Sequence, residues 1–173
     1  MKDLFLDQIE RICERNPKAL ILREKELTAE TYESLSAEVI RICQKYQVCC
    51  ILHNFSSVAL HLGAENIHVP LRELRLLQNR EQFRKIGCSV HTVEEAMEAE
   101  FLGAAYLAAG HIYETSCKKG VKPRGLLFLQ EVCAHVNIPV YAIGGIGLYD
   151  GRVEQVRNYG AAGACIMSGV MKI

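Results

Sequence analysis

The sequence contains no tryptophan and only four prolines, and it has no excess of charge of either sign. Twenty basic and twenty acidic side chains give a formal net charge of zero, which argues against a nucleic-acid-binding surface. No apolar run approaches the ~20 residues that a membrane span requires. Acids at Asp3 and Asp7 interrupt the region where a secretory signal needs an apolar core. With 173 residues, half of them hydrophobic, the chain is expected to form a single domain over residues 1–173.

The eight cysteines are not spaced as the ligands of a metal site would be. No Cys-x-x-Cys pair occurs, which argues against a zinc framework. Six of the eight lie in apolar segments, where a thiol behaves as a small hydrophobic side chain. We therefore expect reduced thiols, a cytoplasmic protein, and neither a metal nor another cofactor.

Short apolar runs alternate with segments of helical periodicity along the chain. The runs predict seven strands, at residues 19–22, 48–52, 66–69, 85–90, 104–109, 139–143 and 164–167. The other periodic segments predict helices at 3–15, 29–46, 56–62, 93–102, 124–135 and 148–159, whereas the charged segment 71–83 receives no assignment. This alternation is typical of a parallel sheet with crossover helices.

Each predicted strand ends in a polar or glycine-rich cluster, as in a (β/α)8 TIM-type barrel with its site at the strand ends. A doubly wound open sheet is the alternative, because seven strands do not complete an eight-stranded barrel. No strand precedes helix 3–15, so we expect the first barrel strand to be missing from the chain. The gap would leave strand edges exposed, and exposed edges favour association, which predicts a homo-oligomer.

Glycine-rich turns follow the last two predicted strands. Gly144 and Gly145 offer backbone N–H groups with no Cβ in the way, and Ser168 and Gly169 offer two more and a hydroxyl. Either turn alone has a plain structural explanation, but together they predict a phosphate-binding site. In this interpretation Gly145→Asp weakens phosphate binding and leaves the fold intact.

His111 follows a strand-terminal glycine, so its ring is predicted to face the site. Histidine titrates near neutral pH, which suits it to take up and release protons. A ring hydrogen-bonded to the following loop is the alternative. The other candidate substrate-binding residues lie at strand ends or in the loop after Gly110: Arg23, Lys25, Ser89, His91 and Lys119.

The motifs at the predicted strand ends resemble a known superfamily. Segments 143–146 (IGGI) and 167–170 (MSGV) resemble the phosphate site of the thiamine phosphate synthase superfamily. The stretch 87–125, with 89–91 (SVH) and 110–120 (GHIYETSCKKG), more closely resembles its TenI-like thiazole tautomerases. The resemblance implies that the protein aromatises a carboxythiazole phosphate made by thiazole synthase, with a small phosphorylated thiazole as the ligand and His111 as the acid/base group.

The synthase branch of the superfamily resembles this chain at 23–25 (REK), where arginine and lysine would hold a pyrophosphate. Its Asn-Asp-Arg and Gly-Gln-x-Asp clusters are replaced here by 53–55 (HNF) and 69–72 (VPLR), so both aspartates expected to bind Mg²⁺ are missing. We therefore expect a thiazole tautomerase. Thiamine phosphate synthase is the alternative enzyme, and a non-catalytic regulatory protein that binds a phosphorylated ligand is a third possibility.

Overall fold

A computed structural model describes residues 2–118 and 120–172, in which helices alternate with parallel strands. The strands are β1 (Ala19–Leu22), β2 (Cys49–His53), β3 (Asn66–Pro70), β4 (Lys85–Val90), β5 (Tyr106–Gly110), β6 (Val140–Ile143) and β7 (Gly163–Cys165). The helices are α1 (Lys2–Glu14), α2 (Ala29–Lys45), α3 (Ser56–His61), α4 (Leu71–Leu76), α5 (Val93–Phe101), α6 (Gly125–His135) and α7 (Arg152–Asn158).

Residues 2–69 and Leu77–Ile86 form a first compact unit. In it β1 pairs with β2, and β2 with β3, in parallel. The unit is held together in part by Tyr32 of α2, which is completely buried. The Tyr32 hydroxyl donates to the Leu22 carbonyl at 2.8 Å and accepts from the His53 amide at 2.9 Å. One phenol therefore ties the carboxyl ends of β1 and β2 to the helix between them.

Pro70–Leu76 and Gly87–Lys172 form a second compact unit. Its strands β4 to β7 pair in chain order, all in parallel. Leu107 on β5 and Ala142 on β6 are fully buried, as are Leu129 and Val132 on one face of α6. These side chains form an apolar layer of the kind that a parallel sheet needs under its crossover helices.

The seven predicted strands are confirmed to within two residues at each end. The helix predicted at 148–159 begins later, at Arg152, because the Asp150 carboxylate accepts from the Gly147 and Arg152 amides and holds a turn. Gly151 precedes the helix with a φ of +74°. The unassigned segment 71–83 contains α4, whose two buried leucines are too few to produce a recognisable helical period.

Within the described ranges, none of the helices has the length and apolar character needed to cross a membrane.

Candidate functional site

The carboxyl ends of β4, β5, β6 and β7 lie side by side in the second unit. The strand register places Val90 beside Ala109, and Ile143 beside both Gly110 and Cys165. Because these strands are parallel, the loops that follow them meet at the same edge. The structure thus brings together six of the predicted site residues: His91, His111, Gly144, Gly145, Ser168 and Gly169.

His111 is the first residue after β5, and only 5% of its surface is exposed. Its carbonyl accepts from the Arg124 amide at 3.0 Å, and the next amide, of Ile112, donates to the Ile143 carbonyl at 2.9 Å. The ring Nε2 lies 3.2 Å from the Val121 carbonyl oxygen. Since a carbonyl oxygen only accepts, Nε2 carries the proton and Nδ1 keeps the lone pair. The loop contact foreseen as the alternative is therefore present, and it determines which nitrogen can act as a base.

Gly144 and Gly145 form a turn that packs against the chain after His111. Both have a positive φ, +101° and +69°. A Cβ at Gly144 would lie 2.3 Å from the His111 Cβ, and one at Gly145 would lie 2.4 Å from the Glu114 carbonyl oxygen. These positions need glycine for packing as well as for backbone conformation. The expectation that Gly145→Asp leaves the fold intact is therefore wrong.

Unpartnered amides line this turn and the turn after β7. The N–H groups of Gly144, Gly145, Ser168 and Gly169 donate to no acceptor among the described residues. The two turns are adjacent, because a Cβ at Gly169 would lie 3.5 Å from the Gly147 Cα. Clusters of free backbone N–H groups at strand ends are suited to bind the oxygens of a phosphate.

His91 follows β4 and is half-buried. Its backbone amide donates to Glu95 Oε2 at 2.5 Å, while the Glu95 amide donates to Thr92 Oγ1 at 3.1 Å, so the first turn of α5 fixes the histidine. The ring Nδ1 lies 2.7 Å from the Gly110 carbonyl oxygen. Ser89, two residues earlier, is half-buried in β4.

Arg152 was not among the predicted site residues. Its guanidinium hydrogen-bonds to the carbonyl oxygen of Gly145 and lies 4.6 Å from the centre of the Tyr113 ring. The Tyr113 amide in turn donates to the Gly144 carbonyl at 3.1 Å. Arg152 and the Tyr113 amide therefore bind the carbonyl oxygens of the glycine turn, not its amides. The Arg152 Nε also lies 3.7 Å from Asp150 Oδ2. No sequence motif marks this arginine, because its contacts to the site are to a backbone carbonyl and to a ring far from it in the chain.

Two of the remaining predicted site residues lie after β1, in the first unit. Arg23 and Lys25 are both exposed, and Lys25 Nζ lies 3.2 Å from Glu26 Oε1. The charge of Arg23 acts on the buried imidazoles of His53 and His68. Lys119, the last of the predicted residues, lies outside the described residues.

His53 and His68 form a buried pair at the ends of β2 and β3. Their ring centres are 5.8 Å apart and their planes differ by 25°. Burial, and then the charge of Arg23, lowers the pKa of His53 to about 4. Burial, followed by His53 and Arg23, lowers the pKa of His68 to about 3. Both rings are therefore neutral at physiological pH.

Because of the buried pair His53 and His68, we expect the folded protein to lose stability in acid. Unfolded histidine titrates near ~6.5, so at lower pH the unfolded chain binds protons that the folded chain does not. We expect the free energy of unfolding to fall progressively as the pH drops from about 6.5 to about 4. Urea unfolding across this range measures the slope, and His53→Gln with His68→Gln should reduce it. An unchanged slope in the double variant would contradict the assignment.

The residues after β2 and β3 also test whether the chain fits the divalent metal of the synthase branch. The ends of β2 and β3 offer the imidazoles of His53 and His68 and the amide of Asn54. The one carboxylate in α4, which follows β3, is Glu73, and it is paired with Arg72 at 3.0 Å, whereas Mg²⁺ favours several carboxylate oxygens. In the part of the chain that the structure describes, no group of three or more His, Cys, Asp or Glu side chains is placed to hold a metal ion. The residues present do not fit a magnesium site.

Strands that pair in parallel and end in an amide-lined turn define an α/β protein with its candidate site at the strand ends. Its structure resembles that of a thiamine phosphate pyrophosphorylase from Pyrococcus furiosus, with a TM-score of 0.80 at 24% identity, over 96% of this chain and 84% of the other. The predicted TIM-barrel-like fold is therefore confirmed.

The chain belongs to the TMP-TENI family, described as thiamine monophosphate synthase, whose model matches residues 2–170. A thiamine-phosphate synthase from Clostridium acetobutylicum is 34% identical over 174 residues, which cover 98% of this chain and 81% of the relative. Another from Fusobacterium nucleatum is 30% identical over 170 residues, 96% and 82% of the two chains. The superfamily is thus confirmed. Both relatives bear the name of the alternative activity, so the tautomerase branch remains a prediction.

Proposed function

We propose that this protein is a thiazole tautomerase, which converts a phosphorylated dihydrothiazole carboxylate into the aromatic thiazole. The observation that carries the proposal is the position of His111 against the glycine turn. Its Nε2 proton is engaged by the Val121 carbonyl, and its lone pair lies on Nδ1. A buried base next to an amide-lined turn is the arrangement that proton transfer on a phosphorylated ligand requires.

The reaction is an isomerisation, so atoms and charge balance without an oxidant or reductant. A base removes a proton from a ring carbon, and the electron pair shifts through the conjugated system. The protonated base exchanges its proton with water and delivers one to the exocyclic alkene carbon, where a new C–H bond forms. His111 is assigned the removal of the ring proton, because its Nε2 is held by the Val121 carbonyl and its Nδ1 is left for a ligand.

Phosphate recognition is assigned to the two turns after β6 and β7. Amides of Gly144, Gly145, Ser168 and Gly169 supply up to four donors, and the Ser168 hydroxyl supplies a fifth. Arg152 supports this arrangement by holding the Gly145 carbonyl away from the amides. Ser89 and His91, which approach the same edge on β4, are proposed to contact the heterocycle. From the sequence, Arg23 and Lys25 are proposed to recognise the substrate carboxylate or a second anion, and Lys119 is proposed to bind the phosphate.

Thiamine phosphate synthase is the second candidate, and the names of the two relatives favour it. The exposed Arg23 and Lys25 also suit a pyrophosphate. Against it, Asn54 offers an amide where that reaction needs a metal-binding carboxylate, and Glu73, the carboxylate in the first turn after β3, is paired with Arg72. A protein that binds the phosphorylated ligand without turnover is the third candidate.

Two assays run side by side separate these functions. The first follows the absorbance change as the dihydrothiazole carboxylate becomes aromatic, in buffer containing a chelator. The second follows thiamine phosphate formation from a pyrimidine pyrophosphate and thiazole phosphate, with and without Mg²⁺. We expect turnover in the first assay only. Turnover confined to the second would establish the synthase, and ligand binding without either reaction would establish the binding protein.

A further inference from the structure

We propose that Arg152 is a positioning residue for the ligand phosphate: by binding the Gly145 carbonyl, it directs the next amide, that of Ile146, toward the phosphate. This inference deepens the proposed function, because it rests on the phosphate site assigned to the turns after β6 and β7. It follows from the hydrogen bonds that hold three successive peptide groups of the glycine turn.

Three successive carbonyl oxygens at the start of this turn accept hydrogen bonds: those of Ile143, Gly144 and Gly145. The Ile112 amide donates to the first of them at 2.9 Å, and the Tyr113 amide donates to the second at 3.1 Å. The third accepts instead from the guanidinium of Arg152. A side chain of α7 thus continues a series of hydrogen bonds that two backbone amides after β5 begin.

The bound carbonyls fix the directions of the amides that follow them. In a trans peptide the C=O and N–H groups point in opposite directions, and the peptide bonds of this turn are trans. The amides of Gly144, Gly145 and Ile146 therefore point away from the donors that hold the turn. Like the two glycine amides, the Ile146 amide donates to no acceptor among the described residues. Successive free amides of this kind form a concave site for an anion.

Arg152 is itself held in place beside the turn. Its guanidinium lies 4.6 Å from the centre of the Tyr113 ring, whose hydroxyl donates to Gln155 Oε1 at 2.7 Å. The Arg152 amide donates to Asp150 Oδ1 at 3.0 Å, and its Nε lies 3.7 Å from Oδ2 of the same carboxylate. A ring and a carboxylate therefore keep the guanidinium at the Gly145 carbonyl, on the side of the turn that Tyr113 occupies.

The series of free amides ends at Ile146. The next amide, of Gly147, donates to Asp150 Oδ2 at 2.8 Å and is not available to a ligand. A Cβ at Gly169 would lie 3.5 Å from the Gly147 Cα, so the turn after β7 contacts the chain directly after Ile146. Ile146 therefore connects the glycine amides to the place where the second amide-lined turn makes contact.

Arg152 acts on the phosphate through the peptide group that joins Gly145 to Ile146. Gly145 has a φ of +69° and no Cβ to restrict rotation of this peptide, so a carbonyl without its partner could turn toward the ligand. It would then present a partial negative charge to the phosphate in place of an N–H donor. Arg152 should therefore matter for phosphorylated ligands and not for the heterocycle itself.

Amide NMR identifies the backbone groups that bind the phosphate. When ¹⁵N-labelled protein is titrated with thiazole phosphate, we expect the amide protons of Gly145 and Ile146 to shift downfield. The Gly147 amide proton should shift little, because it remains bound to Asp150. The thiazole alcohol, which lacks the phosphate, should produce neither downfield shift.

Arg152→Met removes the hydrogen bond and retains most of the side-chain volume. We expect it to abolish the Ile146 shift and to lower the affinity for thiazole phosphate about 10–100-fold, the usual effect of losing a hydrogen bond to a charged group. The calorimetric affinity for the thiazole alcohol should be unchanged, and in turnover KM should rise while kcat stays close to wild type. Arg152→Lys should recover much of the affinity, since its ammonium can still donate to the Gly145 carbonyl.

Arg157→Met is the matched control, because Arg157 lies exposed on the same helix. It should leave both affinities and the Ile146 shift unchanged. Absence of the Ile146 shift when the wild-type protein binds thiazole phosphate would overturn the proposal, as would equal losses of affinity for the two ligands in Arg152→Met. Binding with these shifts but no turnover would instead overturn the tautomerase function and leave the role of Arg152 intact.

Discussion

Replacement of His111 by asparagine is expected to lower the rate of thiazole aromatisation by about 10²–10⁴-fold, the usual effect of losing a general acid/base group. Asparagine is too short to reach the Val121 carbonyl that Nε2 contacts, whereas the amide of His111→Gln reaches that position and keeps the loop after β5 anchored. Neither amide exchanges protons near neutral pH, so both variants should lose the same activity. The absorbance assay under saturating substrate measures the loss in kcat.

Binding separates a chemical role for His111 from a structural one. Calorimetric titration with thiazole phosphate should give an affinity within a few-fold of wild type, because the amides of the two glycine turns remain in place. Ring-hydrogen exchange in D2O should be lost together with turnover. Near-wild-type turnover would remove His111 from the mechanism, and lost binding would make it a structural residue.

Gly144→Ala is expected to destabilise the fold by about 2–4 kcal/mol, the sum of a left-handed backbone cost and an overpacking cost. The new methyl group would lie 2.3 Å from the His111 Cβ, and relief of this contact must shift either the histidine or the glycine turn. Turnover should therefore fall even at temperatures where the variant is folded. Urea unfolding and the absorbance assay measure the two effects.

Gly103→Ala is the control for the backbone cost alone. Gly103 has a φ of +90°, close to the +101° of Gly144, and a Cβ there would meet no atom within 4 Å. It should lose only the backbone cost of about 1–2 kcal/mol and retain full activity. Equal losses of stability in the two variants, with activity intact in both, would show that the turn is not packed against His111 as described.

The sequence predicts the fold closely because each strand is a short apolar run bounded by polar or glycine residues. The segment 71–83 escapes prediction because the register of α4 is specified by two leucines only. The pattern predicts the start of α7 four residues too early, at 148 instead of Arg152, because the Asp150 carboxylate accepts from the Gly147 and Arg152 amides and holds a turn there. A side chain that competes with the helix for backbone amides does not change the hydrophobic pattern, so the pattern alone cannot reveal it.

The sequence predicts individual residues of the site but not the contacts that bring them together. The glycines after β6 are recognisable, yet their packing against His111 and Glu114 depends on contacts between strands that no local pattern records. The ring nitrogens of His111 and His91 that are hydrogen-bonded are determined by the carbonyls of Val121 and Gly110. A backbone acceptor has no sequence signature, so these contacts could not be predicted. For the same reason Arg152 could be found only in the structure.

The most direct test of the tautomerase function is one turnover of the dihydrothiazole carboxylate by the wild-type protein in D2O containing a chelator. Mass spectrometry and proton NMR of the product report where hydrogen has been lost and gained. We predict an aromatic product that has lost its ring hydrogen and carries one deuterium at the exocyclic carbon. Substrate recovered unchanged, with its ring hydrogen intact after many expected turnover times, would contradict the proposal.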